Sequence, residues 1–99
     1  WTYMHGPDAI DNTRTYGNIW LKFFDDSYNF YGITESAGSI TVMSTTDAWT
    51  QLTVTDVVPT GATKVQAGFG FWHCQGETAD CYDGGGVYFD DMLFYLNAE

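Results

Sequence analysis

An alternation with a period of two begins at Asn18, at the start of the segment 18–34. Ile19, Leu21 and Phe23 form one face, and Trp20, Lys22 and Phe24 form the other. A period of two places successive side chains on opposite faces of a strand. Turn-forming residues follow at Asp25-Asp26-Ser27, and strand-forming residues resume at Tyr28. The segment 18–34 is therefore predicted to be a β-hairpin.

A stricter alternation occupies the segment 64–73. One parity contains Val65, Ala67, Phe69 and Phe71, and the other contains Gln66, Gly68, Gly70 and Trp72. The apolar parity is predicted to face the core, together with Ile19, Leu21, Phe23, Leu52 and Val54. Because glycine has no side chain, Gly68 and Gly70 are expected to keep the opposite face shallow and leave room for a ligand or another backbone.

Weaker strand signals occupy 1–4, 40–43, 49–57 and 87–96, and no useful length of the chain has a helical period. Regularly spaced strands between turns are typical of an all-β sandwich. About six strands are clear, whereas a jelly roll has about eight.

Three motifs in the second half of the chain stand in a fixed order. They are Trp49-Thr50-Gln51-Leu52, the turn Pro59-Thr60-Gly61-Ala62, and the closing Val87-Tyr88-Phe89-Asp90-Asp91. In this order and spacing they resemble the C-terminal half of the jelly-roll carbohydrate-binding modules, over roughly residues 17–96. The resemblance implies an antiparallel β-sandwich of jelly-roll type, a core position for Trp49, and a secreted, non-catalytic domain that holds its parent protein to a glycan.

The opening strands of that family pattern have no clear counterpart here, because only residues 1–17 precede the matching segment. We divide the chain into an N-terminal segment or docking strand, 1–17, and a β-sandwich domain, 18–99. Either the first segment supplies compact substitutes, or another chain completes the sandwich. An open sheet edge invites pairing. The second alternative therefore predicts a homo-oligomer or a structural subunit of an extracellular fibre or surface assembly.

The net charge of the chain makes several classes of binding partner unfavourable. The net charge is −10, and the basic residues are Arg14, Lys22 and Lys64. Without a basic patch, nucleic acid, anionic membranes and anionic polysaccharides are poor partners. Ninety-nine residues suit one domain. The sequence contains no run of about 18 apolar residues, so no membrane span is predicted. Neutral glycans, divalent cations and protein partners remain.

The candidate glycan site follows from the rings. The apolar C–H face of a pyranose matches the negative face of an aromatic ring. On the even-numbered face we expect Trp20, Lys22, Gln66 and Trp72 to contact the polysaccharide or glycan, with Tyr82 at the rim. The alternative is that the same rings pack against a partner subunit or under loops.

Asp90 and Asp91 interrupt an apolar run and need polar partners. Calcium takes six to eight oxygen ligands. In similar modules an Asp of the closing strand joins a first-strand carboxylate at a structural Ca²⁺. This chain lacks that opening motif, so Asp8 or Asp11 would have to substitute. The alternative is an Asp that caps neighbouring backbone N–H groups.

No enzymatic activity is predicted. Neighbours on a strand point to opposite faces, so Asp90 and Asp91 are not expected to act as an acid–base pair. His5 and His73 accompany no recognisable nucleophile motif.

Cys74 and Cys81 flank a polar, turn-rich loop and are predicted to form a disulfide; a metal site and two reduced thiols are the alternatives. A disulfide implies an oxidising compartment, and hence an extracellular or cell-surface location. The chain begins at Trp1 and is expected to be a processed mature chain or a piece of a longer one.

Overall fold

The computed structural model describes residues 1–11, 13–72 and 85–95. Within them the chain forms two antiparallel sheets of three strands each and one short 3-10 helix, Gly6–Asp8. The strands are β1 (Thr2–Tyr3), β2 (Tyr16–Phe24), β3 (Phe30–Glu35), β4 (Trp49–Thr50), β5 (Lys64–Trp72) and β6 (Tyr88–Phe89). The all-β prediction is confirmed. The described residues contain no helix with the length and apolar character needed to cross a membrane.

The larger sheet has the order β3-β2-β5. All nine residues of β2 pair with β5, from Tyr16 opposite Trp72 to Phe24 opposite Lys64. The predicted hairpin of 18–34 is formed by β2 and β3, with a register shift between Phe23 and Phe24.

The turn of this hairpin is built around Asp25. Its carboxylate accepts hydrogen bonds from the backbone N–H of Ser27 and of Asn29 and from the Asn29 side chain, each at 2.9 Å. The Asn29 side chain contributes most to lowering the pKa of Asp25, because these bonds favour the ionised form. The turn predicted at Asp25-Asp26-Ser27 is therefore formed, and it is stabilised by hydrogen bonds from the backbone to the Asp25 carboxylate.

The smaller sheet has the order β4-β1-β6, with two residues in each strand. Thr2 lies opposite both Thr50 and Phe89, so β1 pairs within its own chain on both sides. The predicted strands 49–57 and 87–96 are wrong in extent. A strand lasts only as long as its partner, and β1 is two residues long. The segment 40–43 contributes one isolated bridge, from Ile40 to Gly17.

The core is small. Met4, Ile10 and Ile40 form its buried cluster, with Ala9, Val42, Leu52 and Val87 packed against them, and β2 adds Leu21 and Phe23. Ile19, Leu52, Val54 and Val65 are half-buried. The prediction of core positions is wrong for Ala67, Phe69 and Phe71, which are exposed. Phe69 is 55% exposed although its ring stacks on Phe89 at 4.6 Å, because the two-residue strands of the smaller sheet are too short to cover β5.

Asp47 ties the N-terminal segment to the rest of the chain. Its Oδ1 accepts hydrogen bonds from the Gly6 backbone N–H at 2.9 Å and the Tyr3 hydroxyl at 3.3 Å, and it lies 3.2 Å from His5 Nδ1. Its own N–H donates to the Met4 carbonyl at 2.8 Å. The Gly6 N–H is the main cause that lowers the pKa of Asp47.

This arrangement makes folding stability depend on pH at Asp47. The pKa of Asp47 lies below the ordinary value of about 3.9. The contribution of Asp47 to the free energy of unfolding is therefore present above that pH and is lost as pH falls through the lowered pKa. We expect Asp47→Asn to remove this part of the acid sensitivity. Asn tolerates the left-handed backbone at this position, where φ is 57°.

The measurement is a series of urea unfolding curves of both proteins between pH 7 and pH 3. The other carboxylates titrate in both proteins, so the difference between the two pH profiles reports Asp47 together with its contact to His5. If the free energies of unfolding of the wild-type protein and of Asp47→Asn change with pH in parallel, Asp47 does not couple folding to protonation.

Candidate functional site

Even-numbered residues of β2 and β5 form one face of the larger sheet, which we call the indole face. It contains Tyr16, Asn18, Trp20, Lys22 and Phe24 of β2 and Lys64, Gln66, Gly68, Gly70 and Trp72 of β5. The register sets Trp20 opposite Gly68 and Lys22 opposite Gln66. The structure thus places four of the predicted glycan-site residues, Trp20, Lys22, Gln66 and Trp72, on one face, with Trp72 opposite Tyr16 at the far end of the strand pair from Lys22 and Gln66. Tyr82, Cys74 and Cys81 lie outside the described residues.

Both indoles lie against glycine backbone. A Cβ atom added at Gly68 would stand 2.5 Å from Cη2 and Cζ2 of Trp20. At Gly70 it would stand 2.7 Å from Nε1 of Trp72. The shallow strip that the glycines were expected to leave for a ligand is therefore occupied by the protein's own rings. Each indole covers the sheet instead of standing away from it, and both are half-buried.

A chain of hydrogen bonds fixes the orientation of Trp72. Its Nε1–H donates to Oδ1 of Asn18 at 2.8 Å, and Nδ2 of Asn18 donates to Oε1 of Glu35 at 2.9 Å. Asn18 is 1% exposed, so the two bonds satisfy an amide that would otherwise be costly to bury. Sequence reasoning missed Asn18 and Glu35. The parity shared by Asn18 and Trp72 was visible, but the register that joins them was not.

The positive charge of this face lies over rings. Lys22 Nζ stands 4.3 Å from the centroid of the Trp20 ring, within the range of a cation–π contact. Lys64 Nζ stands 5.1 Å from the Tyr28 ring. A shallow pocket of about 400 Å³ lies at this end of the sheet, lined by Phe24, Tyr28, Lys64, Val65 and Gln66. The indole face therefore combines flat rings with ammonium and amide donors.

Asp90 and Asp91 follow the end of β6. We expected them on opposite faces of a strand, and this is wrong, because β6 ends at Phe89 and Asp91 adopts a left-handed backbone with φ of 51°. Both line one cleft of about 360 Å³, together with Trp1 and Trp49. The expected core position of Trp49 is also wrong, since its side chain is 49% exposed.

The hydrogen bonds of Asp90 match the capping alternative. Its Oδ1 accepts the backbone N–H of Asp91 at 2.8 Å, and its own N–H donates to the Trp1 carbonyl at 2.9 Å. Across residues 1–11, 13–72 and 85–95, no three His, Cys, Asp or Glu side chains are grouped so that they could hold a metal ion. Calcium binding by Asp90 or Asp91 stays a prediction of the sequence.

Comparison of this chain with protein-family models, with curated proteins and with solved structures gives no match. The likeness to carbohydrate-binding modules therefore rests on the sequence motifs, and the case for a binding site rests on the geometry of the indole face.

That geometry depends on the missing side chain at position 68. We expect Gly68→Ala to displace the Trp20 indole, because the new methyl group would stand 2.5 Å from two of its ring atoms. The indole N–H resonance of Trp20 should shift, and the resonances of Lys22 should lose the upfield shift that a ring imposes on atoms above it.

Gly86→Ala is the matched control, because a Cβ atom there would meet nothing within 4 Å. If Gly68→Ala leaves the Trp20 and Lys22 resonances where they are, the indole does not lie over Gly68 in solution.

Proposed function

We propose that this protein is a non-catalytic carbohydrate-binding module of jelly-roll type that recognises a neutral glycan on its indole face. The observation that carries the proposal is the pair of indoles, Trp20 and Trp72, laid against the backbone of Gly68 and Gly70. A ring that lies along a sheet presents its π-face outward, and that face suits the C–H face of a pyranose.

The site is held in place before a ligand arrives. Trp72 is anchored by Asn18 at 2.8 Å, so stacking a sugar on it freezes little additional side-chain motion. Gln66 and Lys22 are neighbours across the strand pair and offer donors to sugar hydroxyls. A few polar groups beside an apolar platform are the usual composition of a ligand site.

Charge favours a neutral ligand. The net charge of −10 repels anionic polysaccharides over the whole surface. Lys22 and Lys64 supply positive charge on this face, but each ammonium already lies over an aromatic ring. A neutral glycan can use them as hydrogen-bond donors without the repulsion that an anionic chain meets elsewhere.

Trp72 is the better anchor of the two indoles. A sugar that stacks on Trp20 has to move the Lys22 ammonium, which stands 4.3 Å from that ring. Trp72 is held by a hydrogen bond from its Nε1 to Asn18, and the ring centroids of Trp72 and Tyr16 are 6.3 Å apart.

The proposal carries three associated features from the sequence. They are the Cys74–Cys81 disulfide, an extracellular or cell-surface location, and a structural Ca²⁺ at Asp90 or Asp91. None of them is needed for the indole face to bind, so each can fail without the binding proposal failing.

The test of binding is Trp72→Ala. Its affinity for the glycan should fall about 5- to 150-fold, equivalent to roughly 1–3 kcal/mol, as expected when an aromatic anchor is truncated. Affinity electrophoresis through gels containing a panel of neutral polysaccharides measures it.

Trp49→Ala is the control, because it removes a more exposed indole from the smaller sheet and should leave retardation unchanged. No retardation of the wild-type protein on any neutral polysaccharide would refute the proposal, and so would equal retardation of Trp72→Ala.

A structural subunit of an extracellular fibre or surface assembly is the second candidate. The observation that favours it is the inner face of β5, where Phe69 is 55% and Phe71 is 38% exposed. Within the described residues β5 is also an edge strand, nine residues long and without proline. Long apolar edges of this kind invite pairing with another chain.

Sedimentation velocity across a range of concentrations separates the two candidates. A subunit should sediment as growing oligomers, and Phe69→Lys should return it to a monomer, because the substitution places a charge in the contact. Met43→Lys adds the same charge at a side chain that is 88% exposed and should have no effect. A wild-type monomer at all concentrations would exclude the assembly and leave the glycan proposal intact.

A further inference from the structure

The cleft beside the smaller sheet is not used by the proposed glycan site. Its walls are the indoles of Trp1 and Trp49 and the carboxylates of Asp90 and Asp91, around a volume of about 360 Å³. These residues come from three separate parts of the chain, and the smaller sheet brings them together.

The central strand β1 creates the cleft. It pairs Tyr3 with Trp49 on one side and with Tyr88 on the other. Trp1 precedes β1 and exchanges two backbone hydrogen bonds with Asp90, at 2.9 and 3.0 Å. The Tyr3 ring supports Trp49 from behind, with centroids 5.2 Å apart.

The rings and carboxylates of the cleft remain accessible. Trp1 is 45% and Trp49 is 49% exposed, which is high for indoles, and both Asp90 and Asp91 are exposed. No lysine or arginine lines the cleft, and the α-ammonium group of Trp1 donates to the Asp90 carbonyl at 3.0 Å. Two indoles and two carboxylates therefore share one concave surface with that single positive charge, on a protein of net charge −10.

This combination selects a particular class of cation. A small inorganic ion such as Ca²⁺ takes six to eight oxygen ligands and gains nothing from an indole wall. An organic ammonium group spreads its charge over methyl groups that pack on aromatic faces, and quaternary ammonium ligands are recognised in this way. The volume of the cleft also falls within the usual range for small ligands, about 300–1,000 Å³.

We infer that the cleft formed by Trp1, Trp49, Asp90 and Asp91 binds the trimethylammonium head group of an organic cation. The indoles provide cation–π contacts and the carboxylates provide the long-range attraction. The inference concerns a different sheet from the glycan proposal and stands or falls independently of it.

The test compares choline with 3,3-dimethylbutan-1-ol, which has the same shape and no charge. Titrations are followed by the indole N–H resonances of the four tryptophans. Choline should shift the signals of Trp1 and Trp49 saturably in the millimolar range and leave those of Trp20 and Trp72 in place. The neutral compound should bind at least tenfold more weakly, because it keeps the shape and loses the charge.

Variants assign the contributions of ring and charge. Trp49→Ala should weaken choline binding at least fivefold, and Trp49→Phe should restore part of it because it keeps a smaller π-face. Asp91→Asn keeps the shape of the side chain and should weaken binding about threefold. The backbone amide spectrum verifies the fold of each variant, and the comparison of the two ligands on the wild-type protein needs no variant at all.

Three results would overturn the inference. They are equal binding of choline and its neutral analogue, no shift of Trp1 or Trp49 up to 100 mM choline, and displacement of choline by millimolar CaCl₂, which would assign the carboxylates to calcium. If choline binds as expected, a peptide containing trimethyllysine distinguishes the source. Tighter binding of the peptide points to a methylated protein, and tighter binding of choline points to a small molecule or lipid head group.

Discussion

The nine-residue antiparallel pairing of β2 with β5 is the constraint on which the rest of this structure depends. It joins residues about fifty positions apart in one register, Trp20 to Gly68 and Asn18 to Gly70. Trp20 therefore lies beside Gly68, which has no side chain. Asn18, which accepts the hydrogen bond of Trp72, lies beside Gly70. The rings can then lie along the sheet. A slip of one residue would move every one of these side chains to the other face.

The smaller sheet has the opposite character. Its three strands have two residues each, so few backbone hydrogen bonds join them. Side-chain hydrogen bonds at the margins of the sheet therefore contribute more to its stability. Asp47 fastens Gly6 and the Tyr3 hydroxyl, and Thr2 Oγ1 donates to the Thr50 carbonyl at 2.8 Å. The same shortness leaves Phe69 and Phe71 exposed and opens the cleft beside Trp49. The exposure of Phe69 and Phe71 and the cleft beside Trp49 thus arise from a small sheet that cannot cover a large one.

The distribution of charge supports two different kinds of ligand on the two sheets. On the larger sheet the Lys22 ammonium already occupies the Trp20 ring, and the next uncharged surface is the ring of Trp72. On the smaller sheet the indoles of Trp1 and Trp49 stand beside two carboxylates, no lysine or arginine lines the cleft, and the α-ammonium group of Trp1 donates to the Asp90 carbonyl. A neutral sugar suits the first arrangement and a cation suits the second, for the same reason: an aromatic face is attractive to positive charge.

The sequence by itself determined the strand class, the hairpin at Asp25 and the two parities, Trp20 with Lys22 in one strand and Gln66 with Trp72 in the other. These features are local, because side chains alternate along any strand and an Asp carboxylate caps the turn that follows it. Only the tertiary structure decided that the indoles fill the strip over Gly68 and Gly70, that Phe69 stays exposed and that Asp90 and Asp91 share a cleft with Trp1 and Trp49. Those features depend on which strands pair, in what register and over what length. Pairing is a relation between distant segments, and neither segment specifies it alone.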